Sequence, residues 1–161
     1  MARSLLLSNW AAGGGAIHHA GGALTLNESN LVANGYDDVT EVTVAVNGGA
    51  IRHDGGIAML TDVAIAGNRA ENGGGLANLG GTATLTNVTL FSNRASLNGA
   101  AVDMQGGIAT ITNATITDNS GSAISRRGGG LRCWYGRRLR RRRRHASAPF
   151  RTVRRGAGSA R

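Results

Sequence analysis

The amino-acid sequence predicts an all-β fold: a right-handed, single-stranded parallel β-helix (solenoid) of about four to five coils, truncated at both ends. Two observations lead to this prediction. The first is a repeat anchored on four Gly-Gly pairs, and the second is an alternation of apolar and polar residues inside each repeat. A short unit that recurs at a fixed period is typical of a solenoid, in which each coil stacks on the next.

The repeat is defined by constant offsets from the second glycine of each pair. An aliphatic residue stands five positions before that glycine, another stands nine positions after it, and an asparagine stands twelve positions after it. The glycines are Gly22, Gly56, Gly81 and Gly107; the aliphatic residues are Ile17, Ile51, Leu76 and Val102 before them and Leu31, Ile65, Leu90 and Ile116 after them; the asparagines are Asn34, Asn68, Asn93 and Asn119.

Alternation inside each unit predicts strands rather than helices. In the third copy, Thr84, Thr86 and Thr89 separate the apolar residues Ala83, Leu85, Val88 and Leu90. This period of two predicts strands with one buried face, and each internal glycine would cost a helix about 1 kcal/mol. In the first copy the strands are expected around Ile17, around 24–26 and around 29–31.

The corners between strands explain the glycines and asparagines, because both residue types tolerate a left-handed backbone. Asn34, Asn68, Asn93 and Asn119 are expected to hydrogen-bond along the stack as one ladder. A second corner column is mixed in composition and consists of Glu28, Asp62, Asn87 and Asn113.

Composition divides the chain into a β-helix over residues 1–130 and an Arg-rich tail over 131–161. The tail holds twelve Arg and no acidic residue, whereas residues 1–130 hold six Arg and nine acidic residues, so the net charges are +12 and −3. The segment 5–9 matches the end of a unit, and Ile124 opens a fifth copy. Both ends are therefore expected to fall in the middle of a coil.

Three interpretations apply to the run Arg137–Arg144. The first is that the run binds nucleic acid or an anionic surface, and the second is that it is a disordered tail. The third is that it is the product of a frameshift near residues 128–130. We favour the frameshift, because the repeat and the composition fail together there. Cys133 is the only cysteine, so it forms no internal disulfide. The apolar stretch 5–7 is too short for a signal peptide, and no segment has transmembrane length.

The segments 14–17 and 48–51 both read Gly-Gly-Ala-Ile, and each is followed by an aliphatic-x-x-Asn such as 65–68. These motifs resemble the paired Gly-Gly-Ala-Ile and Phe-x-x-Asn repeats of polymorphic outer membrane proteins, with Leu or Ile in place of Phe. They are also similar to the repeats of large bacterial secreted β-helix proteins. The resemblance covers residues 5–129 and implies a secreted or cell-surface location, at the outer membrane in some members, and an adhesin-like role.

The insertion 35–46 is the main departure from the repeat, and it contains the acidic cluster Asp37, Asp38 and Glu41. Insertions between solenoid repeats commonly form binding surfaces. One hypothesis is Ca²⁺ binding by these three carboxylates; the alternative is a solvated loop, since Ca²⁺ prefers six or more oxygen ligands. No other cofactor is predicted.

Two further columns carry weaker hypotheses. His19 and His53 share one repeat position, where the next copies have Asn78 and Met104, so stacking is favoured over a Zn²⁺ site that lacks a third ligand. The Thr-x-Thr segments 84–86 and 110–112 resemble those of ice-binding solenoids. Thr is also an ordinary outward strand residue, and the other copies break the array.

The leading prediction is a non-catalytic β-helix fragment of a secreted or cell-surface adhesin-like protein. Its expected partners are surface glycans or proteins of a host or neighbouring cell, and its open coil ends are expected to self-associate. The alternative is a carbohydrate-binding or polysaccharide-degrading β-helix, a lyase or hydrolase. Catalysis is the less favoured interpretation, because the nine acidic residues are sparse. The third function class is nucleic-acid binding through the Arg-rich tail.

Overall fold

The computed structural model describes residues 3–37, 42–43 and 45–134. Within these ranges the chain forms strands and no helix, and the strands wind into a parallel β-solenoid of about five turns. The predicted fold class, an all-β parallel solenoid, is confirmed. Since the described residues contain no helix, they contain none that is long and apolar enough to cross a membrane.

Three five-stranded parallel sheets form the sides of the solenoid. Sheet I consists of β2 (Ile17–His19), β7 (Ile51–His53), β11 (Leu76–Asn78), β15 (Val102–Met104) and β18 (Ile124–Arg126). Sheet II consists of β3 (Ala23–Asn27), β8 (Ile57–Thr61), β12 (Thr82–Thr86), β16 (Ile108–Thr112) and β19 (Gly130–Trp134). Sheet III consists of β1 (Leu5–Leu7), β4 (Asn30–Val32), β9 (Ala64–Ala66), β13 (Thr89–Phe91) and β17 (Thr115–Thr117).

Four further strands lie between sheets III and I along the chain. β10 (Arg69–Asn72) pairs in parallel with β14 (Arg94–Asn98) and forms a fourth side in two of the coils. β5 (Tyr36–Asp37) and β6 (Val42–Thr43) form a short antiparallel pair inside the insertion. The insertion therefore lengthens one coil, whereas the last coil, from Val102 to Ile124, is shorter than the two before it.

Successive coils pair in register, so equal positions of the repeat touch each other. Leu85 pairs with Leu60 on one side and with Ile111 on the other, and all three side chains are fully buried or nearly so. Burying each such side chain stabilises the fold by about 1.5–3 kcal/mol relative to leaving it in water. The narrow aliphatic core follows directly from the period-two alternation in the sequence.

Several core positions in the terminal coils are only partly buried. Leu6, Ile17 and Leu24 in the first coil and Ile124 and Leu131 in the last pack against the core but retain solvent exposure. The predicted domain boundary at residue 130 falls at the start of β19, which pairs in register with β16 as far as Trp134. The core spacing therefore continues past that boundary, and the Arg137–Arg144 run lies outside the described residues.

Candidate functional site

The structure places the predicted asparagines in one column, which is buried at Asn34, Asn68 and Asn93 and partly exposed at Asn119. Oδ1 of Asn68 accepts hydrogen bonds from the backbone N and from Nδ2 of Asn34, at 2.8 and 2.9 Å. Nδ2 of Asn68 donates to Oδ1 of Asn93 at 2.9 Å and to the Leu31 carbonyl at 3.0 Å. The same pattern runs from Asn9 through Asn119. These side chains therefore join neighbouring coils, and the hydrogen bonds of the ladder use their amide donors and acceptors.

The left-handed residue at this corner is not the ladder asparagine itself. It is the residue before it, with φ values of 52° at Ala33, 54° at Ser92 and 54° at Asp118. The asparagine backbone is instead turned so that its N–H reaches the next coil. The mixed column of Glu28, Asp62, Asn87 and Asn113 does adopt the left-handed backbone, with φ between 46° and 55°.

The second glycines of the Gly-Gly pairs are left-handed as well and are packed tightly along the stack. φ is 76° at Gly56, 68° at Gly81 and 62° at Gly107. A Cβ on Gly56, Gly81 or Gly107 would lie within 2.5 Å of the carbonyl oxygen of the equivalent glycine in the preceding coil. Only glycine meets both requirements, so this column is structural.

The acidic insertion is described only in part. Tyr36 and Asp37 lie on β5 and pair with Thr43 and Val42. The guanidinium carbon of Arg69 lies over the Tyr36 ring, 4.1 Å from the centroid of that ring. Asp38 and Glu41 lie outside the described residues, so the Ca²⁺ hypothesis for Asp37, Asp38 and Glu41 stays a prediction. Among the residues that are described, no three His, Cys, Asp or Glu side chains cluster as a metal site.

Charged side chains of the β-sheets lie at the outward positions of sheet I and on the β10–β14 pair, which carries Arg69, Glu71 and Arg94. The outward positions of the five strands of sheet I, in register, are His18, Arg52, Ala77, Asp103 and Ser125, of which Ala77 and Asp103 are completely buried. By contrast, the outward positions of sheet III and of the first four strands of sheet II carry no charged residue. Of the three five-stranded sheets, sheet I therefore has the most charged residues at its outward positions.

We define the sheet I face as His18, Arg52, Asp54, Asp103, Gln105 and Arg127. At one end of it, the Asp54 carboxylate accepts from Arg52 Nε at 2.7 Å and pairs with His18 Nε2 at 2.8 Å. The pKa of Asp54 lies below its usual value, chiefly because of the Arg52 hydrogen bond. Partial burial acts in the opposite direction, and the His18 hydrogen bond adds to the lowering.

The other end of the sheet I face is centred on Asp103, whose side chain is completely buried. Its Oδ2 accepts from Arg127 and from Gln105 Nε2, the latter at 3.0 Å. Gln105 Nε2 also donates to Asn47 Oδ1 at 2.7 Å, which links residues on either side of sheet I. Oδ1 of Asp103 has no hydrogen-bond partner among the described residues. This buried carboxylate is held by charge pairing with Arg127, which is itself 43% exposed.

Sequence reasoning did not single out the sheet I face. Its residues are scattered between positions 18 and 127, and no two neighbouring copies carry the same residue type at the outward position. The variation of this outward residue between copies was the one feature of the sequence that could have indicated the sheet I face. The position after each aliphatic residue that starts a strand of sheet I, such as Arg52 after Ile51, differs from copy to copy, whereas the aliphatic class is the same in every copy.

Comparison of this chain with protein-family models, with curated proteins and with solved structures finds no match.

Proposed function

We propose that this chain is the non-catalytic β-helix part of a secreted or cell-surface adhesin-like protein, and that it binds a neutral glycan along the sheet I face. The Gly-Gly-Ala-Ile motifs, which resemble those of polymorphic outer membrane proteins, support export, a surface location and a right-handed coil. Right-handed crossovers are also the general rule for parallel strands. The solenoid supplies a rigid surface on which side chains from successive coils line up.

The observation that carries the proposal is the contrast between constant core positions and variable outward positions on sheet I. The inward residue at the start of each strand stays aliphatic, from Ile17 to Val102, whereas the outward residue after it changes from His18 to Arg52, Ala77 and Asp103. Stacking alone requires no such variation. Ala77 and Asp103 are buried, so the groups of this row that remain open to a ligand are His18 and Arg52, on neighbouring coils about 4.8 Å apart.

Charge balance favours a neutral ligand. The two arginines of the sheet I face, Arg52 and Arg127, are paired with the two carboxylates of Asp54 and Asp103, so these formal charges sum to zero. The remaining donor and acceptor capacity suits hydroxyl groups, which both donate and accept. Five strands span about 19 Å of solenoid axis, which allows contacts along an extended chain.

The ionic state of Asp54 supports binding over hydrolysis. A general acid in glycoside cleavage needs a raised pKa so that it keeps its proton near neutral pH. The pKa of Asp54 is instead lowered, first by its hydrogen bond from Arg52. Asp54 is therefore ionised and paired, which favours a positioning role over proton transfer.

A glycan-binding measurement on the full chain tests this function. We expect binding to at least one neutral oligosaccharide on an array, confirmed by calorimetry. Arg52→Ala should reduce the affinity by about tenfold or more, whereas Thr84→Ala, on the outer surface of sheet II, should leave it unchanged. Arg52 is the better target than Arg127, because removing Arg127 would leave the Asp103 charge buried without its partner.

Two outcomes would contradict the proposal. If no neutral glycan binds, or if Thr84→Ala weakens binding as much as Arg52→Ala does, the sheet I face is not the binding surface. Release of new reducing ends from the oligosaccharide would support the alternative, a polysaccharide-degrading β-helix. Binding to anionic polymers alone, with a steep dependence on salt, would point to the Arg-rich tail.

A further inference from the structure

A second column of sheet I points into the solenoid and is chemically unlike the rest of the core. It occupies the last position of four consecutive strands and consists, in register, of His19, His53, Asn78 and Met104. His19 is 8% exposed, and the other three side chains are fully buried. The surrounding core is aliphatic, so this donor column needs an explanation of its own.

The two imidazoles face each other closely. Their rings are nearly parallel, with centroids 4.9 Å apart and planes 5° apart, and the two Nδ1 atoms lie 2.8 Å from each other. At that distance one hydrogen lies between the two nitrogens, so one ring carries its hydrogen on Nδ1 and the other on Nε2. The pair is therefore a preformed set of two nitrogen ligands that point at one another.

Unsatisfied polar atoms concentrate in the same column. Across the described residues, four buried side-chain atoms have no hydrogen-bond partner, and three of them are Nε2 of His19, Nε2 of His53 and Oδ1 of Asn78. Leaving such groups unpaired costs about 1–3 kcal/mol each. The column therefore holds polar groups that the hydrogen bonds of the solenoid leave unused.

The donor set selects the kind of species. The column contains imidazole, amide and thioether groups and no carboxylate, which disfavours Ca²⁺ and Mg²⁺. Asp54 follows His53 in sequence, but its charge is already paired with Arg52 and His18. A divalent ion would leave its charge uncompensated in an aliphatic interior, which is expensive. A singly charged soft ion is the better match, and Cu(I) accepts both imidazole and thioether ligands.

We propose that His19 and His53 form a Cu(I) site in which the metal ion replaces the hydrogen between the two Nδ1 atoms. On binding, the ring that carried its hydrogen on Nδ1 carries it on Nε2 instead, so both imidazoles remain neutral and no proton is released. Two metal–nitrogen bonds of roughly 2 Å require the Nδ1 atoms to move apart by about 1 Å. β2 is the terminal strand of sheet I, so His19 has room to move outward.

The site is tested by anaerobic titration of the full chain with Cu(I) in competition with a chromogenic chelator. Cys133→Ser is the parent in all measurements, because its free thiol would also bind Cu(I). His19→Asn and His53→Asn are the test variants, since the solenoid already accommodates asparagine at the equivalent Asn78. His18→Asn, on the outer surface of the same strand, is the matched control.

We expect the parent and His18→Asn to bind one equivalent of Cu(I), and each test variant to lose at least tenfold in affinity. X-ray absorption should show two nitrogen neighbours in the parent. His145, the remaining histidine of the chain, is present in every variant, so a difference in Cu(I) affinity between variants reports on His19 and His53. Equal affinity in the parent and both test variants, or a first shell dominated by sulfur, would overturn the proposal. If His53→Asn unfolds, the partly exposed His19 still provides the test.

Discussion

Glycine substitutions at equivalent and neighbouring positions separate two contributions to the stability of the stack. Gly22 and Gly81 occupy the same repeat position and share a left-handed backbone, with φ of 78° and 68°. A Cβ on Gly22 would meet nothing within 4 Å, whereas a Cβ on Gly81 would lie 2.5 Å from the Gly56 carbonyl oxygen. Gly21 has open space as well and lacks the left-handed backbone.

The expected losses in free energy of unfolding follow from these three environments. Gly21→Ala should change stability by no more than about 0.5 kcal/mol, as for an ordinary surface substitution. Gly22→Ala should cost about 1–2 kcal/mol for the left-handed backbone alone. Gly81→Ala adds a clash with the backbone of the neighbouring coil, and overpacking of this kind costs about 1–3 kcal/mol more. We therefore expect a total of about 3 kcal/mol at Gly81.

Urea unfolding followed by circular dichroism measures all three variants against the parent, with a constant m-value as the check that one transition is compared. The ranking Gly21, Gly22, Gly81 in order of increasing loss is the expected result. If Gly81→Ala costs no more than Gly22→Ala, the coils do not pack as closely as the structure indicates and the reasoning fails.

Three other predictions concern the ladder, the buried histidines and the open ends. Asn68→Ala removes four side-chain hydrogen bonds and orphans the buried Asn34 N–H, so it should cost about 3–5 kcal/mol by denaturant unfolding, against less than about 0.5 kcal/mol for the exposed Asn27→Ala. Burial, followed by the charge of the neighbouring His19, lowers the pKa of His53, while the Thr82 backbone and the Asp54 charge act in the opposite direction. The contribution of His53 to the free energy of unfolding should therefore be fully present above a pH of about 6.5 and should fall as the pH drops below it, because the unfolded chain takes up the proton first. The dependence of this free energy on pH should be weaker in His53→Asn, and an unchanged dependence would contradict the prediction. The half-buried core residues of the terminal coils should drive association that increases with concentration in analytical ultracentrifugation, and a strict monomer at high concentration would exclude it.

The sequence was sufficient for the fold because a solenoid repeats one local solution. Offsets from each Gly-Gly pair placed Leu85 in register with Leu60 and Ile111, since the period of the repeat equals one coil. The corners were predictable for the same reason: glycine and asparagine are the residues that adopt a left-handed backbone at low cost. Which residue of the Asn corner is left-handed depends on hydrogen bonds between coils, and no local pattern encodes that choice.

The sheet I face was not predictable from the repeat, because its residues break the repeat. Gln105 and Asn47 meet across two coils, and their separation in sequence bears no simple relation to the period. The sequence instead indicated the acidic insertion as a binding site, because Asp37, Asp38 and Glu41 are close in sequence. Burial of Asp103 likewise depends on Arg127, which reaches it from the following coil. Such contacts appear only once the coils are stacked.

Mapping of amide chemical shifts during titration with a neutral oligosaccharide tests the central functional claim most directly. We expect the perturbed amides to cluster on sheet I, around Arg52, Asp54 and Gln105, with little change on sheets II and III. Perturbations centred on the outer surface of sheet II, or an absence of perturbation with every neutral oligosaccharide, would contradict the proposed glycan site.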